Sequence, residues 1–329
     1  MDDVVQTPAG GLDYPRTWSE FLDRFATEEA CHEYLERLRW PHGFACPQCT
    51  VLGPAYRASR TRLICRECGH QSSVTVGTIF DKTRTPLRVW MAAAWYLTNQ
   101  KQGVSALGLQ RVLGLGSYQT AWTMMHRLRR AMVRPDRERL KGRIEVDESY
   151  VAINDDIDAI SALKRKAHTS KTLLVVAVEI LQPKGFGRIR LRRLEKDSAE
   201  FLVPFIRDAV EPGAQVHTDG SAAYRSLCEL GYDHQRTVVA GSNVPAHRSH
   251  PGVHRVASLL QRWILGIYHG AIQREHLDTY LEEFVFRFNR RSSRSRGLLF
   301  YRLLEQAVAT APLTYEDIIS SSKTAALGA

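Results

Sequence analysis

The tightest constraint on this chain is a double cysteine pair, Cys46-Pro47-Gln48-Cys49 and Cys65-Arg66-Glu67-Cys68, spaced C-x2-C-x15-C-x2-C. Each C-x2-C turn presents two sulfurs to one point, and the residues between the pairs let four thiolates close a tetrahedron around a single ion. That is the spacing of a structural zinc site. Pro47 stiffens the first knuckle and Gly69 suits the tight turn after the second. One pair alone would leave a redox dithiol open, and disulfides would need an oxidising compartment. Two matched pairs, behind a Met1-Asp2-Asp3 start that lacks a charged-then-apolar secretory pattern, favour zinc. The expectation is a zinc ribbon over 34–80 held by Cys46, Cys49, Cys65 and Cys68. Cys31 and Cys228 stand alone and read as packing residues.

At 329 residues the chain is long enough for about two globular units. Its 44% hydrophobic and 24% charged residues exclude wholesale disorder. Lys and Arg number 45 against 35 Asp and Glu, a net charge of +10 that points to a polyanionic partner, nucleic acid before membrane. The longest apolar run, Val89 to Leu97, is nine residues. A membrane helix needs about 20, so a cytoplasmic protein is expected. The charge is also segregated. Residues 1–42 carry nine acids and four bases, a balance of −5, which leaves +15 for the rest. Arg127 to Arg143 holds eight basic residues against two acidic, and Phe286 to Arg302 holds six arginines and no acid. Either block alone could be a solvated helix face; two on one chain favour a nucleic-acid track.

After an acidic helical lead (1–33) and the ribbon, whose last strand is expected at Val74 to Val76, a helical segment spans 85–141. Thr85-Pro86 marks the start of a helix running to Asn99. Ser105 opens a second, with Leu109, Val112 and Leu113 apolar; Gly114-Leu115-Gly116 breaks it, and Ser117 caps a third with Ala121, Met125 and Leu128 at helical spacing. Two helices joined by a glycine-containing turn suit a helix-turn-helix. Tyr118, Gln119 and Thr120 would then open the recognition helix, and Arg127, Arg129 and Arg130 would extend its grip on DNA. An ordinary helical hairpin with a basic extension fits the same pattern.

From Gly142 the pattern becomes mixed. Strands are expected at Ile144 to Tyr150, Leu173 to Val178, Gly185 to Leu194 with one cationic face, Gln215 to Asp219, and near Thr237 to Ala240. Helices are expected at Ser198 to Val210 and Ser221 to Leu230. The sum is an α/β domain with a mixed sheet over 142–308, followed by a tail over 309–329. Asp147 sits within the first strand and Asp219 ends the fourth. Two hard carboxylates on adjacent strands can hold divalent ions that stabilise the attacking and leaving oxygens of a phosphoryl transfer. Singly, either aspartate could be a turn or cap residue, and Asp-Gly is a common turn signal.

Taken together, these motifs resemble the DDE-type insertion-sequence transposases that carry an N-terminal zinc ribbon ahead of an RNase H-like catalytic domain. The resemblance runs from Cys46 to about Leu304. It rests on the double C-x2-C, Val74 to Phe80, Ala121-Trp122 with His126 to Arg129, Val146 to Tyr150, His217 to Gly220, Tyr280 to Phe284 and Phe288 to Arg291. It implies that Asp147 and Asp219 are the first two catalytic residues, with Mg2+ as cofactor, double-stranded DNA as partner and a homo-oligomer assembled on paired element ends in the bacterial nucleoid. The family commonly continues with Glu or Asn followed seven residues later by Lys. Aligning Ser258-Leu259-Leu260 puts His254 at the third position, 35 residues after Asp219, and Gln261 at the lysine. On that helix Val256, Leu260, Trp263, Ile264 and Ile267 form an apolar stripe, with His254, Ser258 and Gln261 opposite. Imidazole can bind a divalent ion but brings no charge, and suits Mn2+ better than Mg2+. The aromatics of the last motif are expected to pack, while Arg287, Arg290 and Arg291 follow phosphate. The competing expectation is a decayed or domesticated DNA-binding protein that represses element ends.

Overall fold

The computed structural model describes residues 7–59, 61–154, 169–237, 250–270 and 272–326. The chain divides into two compact units, Met1–Arg134 with Ser293–Ser321 and Pro135–Ser292 with Ser322–Ala329.

In the first unit, helices α1 (Trp18–Arg24) and α2 (Glu28–Arg39) start at Thr17 and Thr27, whose hydroxyls accept from the amides of Glu20 and Ala30. The ribbon is a three-stranded antiparallel sheet, β1 (Ala55–Ser59), β2 (Arg62–Cys65) and β3 (Gln71–Ser72). The expected strand at Val74 to Val76 is instead a turn. The Val76 amide bonds Ser73 O, and Arg39 donates to the Ser73 and Val74 carbonyls, so those backbone groups have no ladder to join. Helix α3 (Leu87–Asn99) follows Pro86, and its first amides, on Leu87 and Arg88, donate to the Glu28 carboxylate. The cap thus comes from α2, sixty residues away in sequence, and not from Thr85. Helices α4 (Ala106–Leu113) and α5 (Tyr118–Arg130) follow as expected. Gly114, at φ 62°, ends α4 in the left-handed conformation that glycine adopts most easily.

Two C-terminal helices complete the picture. The sequence assigns 296–308 to the catalytic domain, whereas α9 (Arg296–Ala309) belongs to the first unit. There Phe300 packs edge-on against Phe21, Phe25 and Trp95. The expected tail contains α10 (Tyr315–Ala326), anchored by buried Ile318.

The second unit is a five-stranded mixed sheet in the order β6-β5-β4-β7-β8. It is built from β4 (Arg143–Asn154), β5 (Thr169–Ile180), β6 (Phe186–Arg193), β7 (Gln215–Asp219) and β8 (Asp233–Thr237). The first three are antiparallel; β7 and β8 run parallel to β4. Alternation divides the sheet between two cores. Ile144, Val146, Val175 and Ala177 pack with Leu202, Phe205 and Ile206 of α6 (Ala199–Ala209). Val151, Ile153, Val176 and Val178 pack on α7 (Pro251–Tyr268) and α8 (Leu277–Asn289). A sheet covered on both faces explains why Leu173 to Val178 reads as an unbroken apolar run. Two expectations differ in detail. Ser221 to Leu230 contains only a 3-10 segment, Ala222–Leu227, and the last strand lies earlier than expected, with 238–240 outside the described residues.

The free edge of β6 is clamped by the end of α8. Asn289 Oδ1 accepts from the Ile189 amide at 2.7 Å and its Nδ2 donates to Ile189 O at 3.2 Å. Arg291 donates to the carbonyls of Phe186 and Gly187. An unpaired edge is a template for aggregation, and this clamp occupies part of it.

Candidate active site and metal centre

The four ribbon cysteines converge. Their sulfurs lie within 4.8 Å of one another, with Cys46 to Cys68 and Cys49 to Cys65 at 3.6 Å. A tetrahedron with Zn–S bonds of about 2.3 Å has edges of about 3.8 Å, so the cage fits one zinc ion. Two tight turns form it, Thr50 N to Cys46 O and Gly69 N to Cys65 O. Burial would raise the Cys46 thiol, but the Cys49 and Gln48 amides aimed at its sulfur outweigh this and bring it to about 6, which favours the metal-binding thiolate. These residues are a structural zinc site. Cys31 is buried as expected; Cys228 is exposed and is not a packing residue.

In the second unit the parallel pairing of β4 with β7 places Arg143 to Glu145 opposite Gln215 to His217. The pairing ends there, two residues before Asp147 and Asp219, and the Asp219 charge still acts on Asp147. Asp147 Oδ1 accepts from the Glu148 amide, and Asp219 Oδ1 from the Ser221 amide, both at 2.9 Å. Burial raises the Asp147 carboxyl above its ordinary value, and the Asp219 charge pushes it the same way. Alternation along β4 puts Glu145 on the same face as Asp147. Glu145 Oε2 accepts from the Gly252 and Val253 amides at 2.7 and 3.3 Å, fixing the start of α7. His254 lies one turn into that helix, where it acts electrostatically on both Asp147 and Glu145. Its Nε2 is buried with no hydrogen-bond partner. His250, 1% exposed, places Nδ1 3.8 Å from Asp147 Oδ2 and stacks on His217 with centroids 4.5 Å apart. Burial lowers His217 to about 4, so it is neutral, and its Nε2 bonds Thr237 Oγ1 at 2.7 Å.

The donor set of Asp147, Asp219 and the unpartnered His254 nitrogen suits a divalent ion, although it is more open than the zinc cage. Among the described residues only the four cysteines form a group of three or more ligand atoms within 4.8 Å. Gln261 is not part of this set. Its Oε1 accepts from the Ala152 amide at 3.3 Å, further along β4. The apolar stripe of α7 is as expected at Val256, Leu260 and Ile264, with Trp263 and Ile267 only half-buried.

Sequence reasoning passed over three neighbours. Glu148 points to the opposite face of β4, where burial and then the Asp197, Asp147 and Asp219 charges raise it to about 7, against the hydrogen bond donated by the Tyr224 hydroxyl. Asp197 is raised by burial and by Asp219. The Asp147-Glu148 doublet was the available signal for Glu148; Tyr224 and Asp197 had none.

The DNA-contact candidates divide. Tyr118 (53% exposed) and Gln119 are exposed at the start of α5, and Thr120 is half-buried. Arg130 is exposed, whereas Arg127 donates to the carbonyls of Ile79, Asp81 and Leu313, and Arg129 is 2% exposed. Arg129 falls four residues after Met125 and eight after Ala121, on the inner stripe. In the C-terminal block Arg287 pairs with fully buried Glu283 at 2.8 Å, Arg290 lies over Phe286, and Arg291 lies over Phe288 as well as on the β6 edge.

A mixed β6-β5-β4-β7-β8 sheet with one acid within β4 and another at the end of β7, in a chain that also carries a four-cysteine ribbon, is the arrangement of the DDE-type transposases with an RNase H-like domain. Residues 139–289 match the ISXO2-like transposase domain and residues 26–71 the transposase zinc-ribbon domain. Those two stretches carry the two domains of this family of insertion-sequence transposases. It is 25% identical over 280 residues, covering 81% of this chain and 92% of the relative, to a protein in transposable element ISH50 of Halobacterium salinarum.

Proposed function

We propose that the protein binds the ends of its own element, hydrolyses a phosphodiester there to free a 3′-hydroxyl, and joins that hydroxyl to target DNA. The observation that carries this reading is that Asp147 and Asp219, each two residues past the last pair of parallel strands β4 and β7, act on one another by charge, while His254 on α7 acts on Asp147 and keeps a buried, unpartnered Nε2. Asp147, Asp219 and His254 would hold Mg2+ or Mn2+, which supplies Lewis acidity toward the phosphoryl oxygens and makes the attacking oxygen more acidic. Glu145 fixes the start of α7 and so orients His254 toward β4. His250 and neutral His217 wall Asp147 from bulk water. Tyr118, Gln119, Thr120 and Arg130 on α5 would read or grip the duplex, and two copies would pair on two ends. No helix among the described residues is long and apolar enough to cross a membrane.

Gln261, standing where the family has lysine and tied to the Ala152 amide, favours a second reading in which the protein occupies element ends without cutting them. Strand-cleavage assays on end-bearing duplex separate the two. Asp147→Asn and Asp219→Asn should each abolish cleavage while zinc content and duplex binding persist. Full cleavage by both variants would refute the catalytic assignment, and a wild-type protein that binds ends but cuts with neither metal would support the second reading.

A further inference from the structure

The sheet splits at the end that carries the aspartates. Strand β4 stays paired with β5 as far as Asn154, and β7 with β8 as far as Asp219, yet β4 and β7 pair with each other only at 143–145 and 215–217. Asp147 and Asp219 therefore stand beyond the last shared rung, and no backbone pairing fixes the distance between them. Charge acts to widen it. The Asp219 charge opposes ionisation of Asp147, as like charges in a partly buried site do. Holding both carboxylates close enough to share an ion requires another tie between the two strand ends.

A side-chain bond supplies one. The Tyr224 hydroxyl donates to Glu148 Oε1, one residue past Asp147. Tyr224 is 0% exposed and belongs to the core that also holds Val146, Val175, Leu202 and Phe205, so its ring is fixed in place. The arm from Asp219 to Tyr224 is fixed as well. Asp219 Oδ1 accepts from the Ser221 amide at 2.9 Å, and Ser221 O accepts from the Tyr224 amide at 3.5 Å, at the start of the 3-10 segment Ala222–Leu227. On β4, Asp147 Oδ1 accepts from the Glu148 amide at 2.9 Å. A continuous path thus runs Asp147–Glu148–Tyr224–Ser221–Asp219, with a hydrogen bond at each joint. On the opposite face His250 spans the same split, 3.8 Å from Asp147 and stacked on His217.

We propose that Tyr224 is a positioning residue whose bond to Glu148 sets the separation of the two carboxylates that would hold the divalent ion. This rests on the transposase reading above, and the test separates the two. Mn2+ affinity of the zinc-loaded protein is measured by calorimetry without DNA, with Asp147→Asn as the blank. Duplex affinity and the Mn2+ concentration for half-maximal cleavage are measured in parallel. Tyr224→Phe removes the hydroxyl and keeps the ring. It should weaken Mn2+ binding and raise the half-maximal concentration by roughly three- to tenfold, the worth of one net hydrogen bond, with duplex affinity unchanged. Glu148→Gln and Glu148→Leu both remove the charge, but only glutamine keeps an acceptor for the hydroxyl. The leucine variant should therefore bind Mn2+ more weakly than the glutamine variant, and in its background Tyr224→Phe should have no further effect. A folded Tyr224→Phe protein with wild-type Mn2+ affinity overturns the proposal, as does equal affinity in the two Glu148 variants or an undiminished loss in the leucine background. Should Tyr224→Phe fail to fold, the comparison of the two Glu148 variants decides alone. A wild type that binds no Mn2+ above the blank refutes the catalytic reading and the tie with it, whereas a wild type that binds Mn2+ no better than Tyr224→Phe refutes the tie alone.

Discussion

Glu145 accepts hydrogen bonds from the Gly252 and Val253 amides, so the strand that presents Asp147 also fixes the first turn of the helix that presents His254. The approach is close. A Cβ on Gly252 would lie 2.8 Å from both Glu145 Oε2 and Ile180 Cδ1. Gly252→Ala should therefore cost about 1–3 kcal/mol of stability through overpacking. Glu145→Ala, which orphans two buried amides, should cost a similar ~1–3 kcal/mol. Both should also reduce cleavage more than duplex binding, because they move His254 relative to Asp147. Urea unfolding alongside cleavage assays checks this; variants with wild-type values in both would show that the contact positions nothing.

Glu148 gives the protein an unusual acid limb. Its carboxyl stands at about 7 in the fold against 4.5 ordinarily. Between those values the native state holds a proton that the unfolded chain has lost, so stability falls as pH rises from about 4.5 to about 7. A shift of that size corresponds to at most roughly 3 kcal/mol. Asp147, Glu145 and Asp197 are raised too and act in the same direction. The lowered His217, His250 and His234 act in the opposite direction up to about 6.5, so the Glu148 share is read as a difference: unfolding without added Mg2+ or Mn2+ should show Glu148→Gln gaining stability relative to wild type between pH 5 and 7.5. An identical pH slope in the variant would refute the assignment.

One zinc ion should copurify with each chain. Cys65→Ser, which removes a buried ligand, should lose the metal and the order of the ribbon sheet, since ligation free energy in such small folds is folding free energy. Elemental analysis and circular dichroism report on the two together. A Cys65→Ser protein that keeps both stoichiometric zinc and its ribbon signal would disprove the four-sulfur cage.

The ribbon was legible because spacing carries it directly, and the two aspartates stood out as candidates because one lies within a strand and the other ends one. The double C-x2-C leaves little choice of geometry, and Asp147 and Asp219 each interrupt an apolar strand pattern. Charge was less readable. Arg129 and Arg190 are nearly buried, while Arg127, Arg287 and Arg291 are bonded within the fold, so a basic block in sequence does not translate into a basic surface. The cap of α3 was invisible for another reason. Glu28 reaches Leu87 and Arg88 through tertiary packing, which no local motif encodes.

The Phe288-Asn289-Arg290-Arg291 motif illustrates the difference. Asn289 makes both backbone bonds of a neighbouring strand residue, to Ile189 N and O. Asn289→Ala should destabilise the second unit by about 1–3 kcal/mol and leave the salt slope of duplex binding unchanged. Asn289→Asp, which keeps the acceptor but loses the donor, should fall between. A salt slope that dropped with Asn289→Ala at unchanged stability would return the motif to the DNA surface.

His254 is the position where chemistry and family pattern diverge, and its buried, unpartnered Nε2 makes the divergence measurable. A nitrogen in that state is costly unless something binds it. Imidazole donates well to Mn2+ and poorly to the harder Mg2+, so wild type should cut faster with Mn2+. His254→Ala removes the donor and should slow cleavage at least about tenfold with either ion, or about 1.4 kcal/mol of barrier. His254→Glu adds a third carboxylate beside Asp147 and Glu145. Without metal that extra charge should destabilise the fold; with metal it should move the preference toward Mg2+. The opposed signs distinguish a ligand from a residue that only packs, because a packing role would shift stability equally with and without the ion. Equal cleavage by wild type and His254→Ala in both metals would show that the third group lies elsewhere.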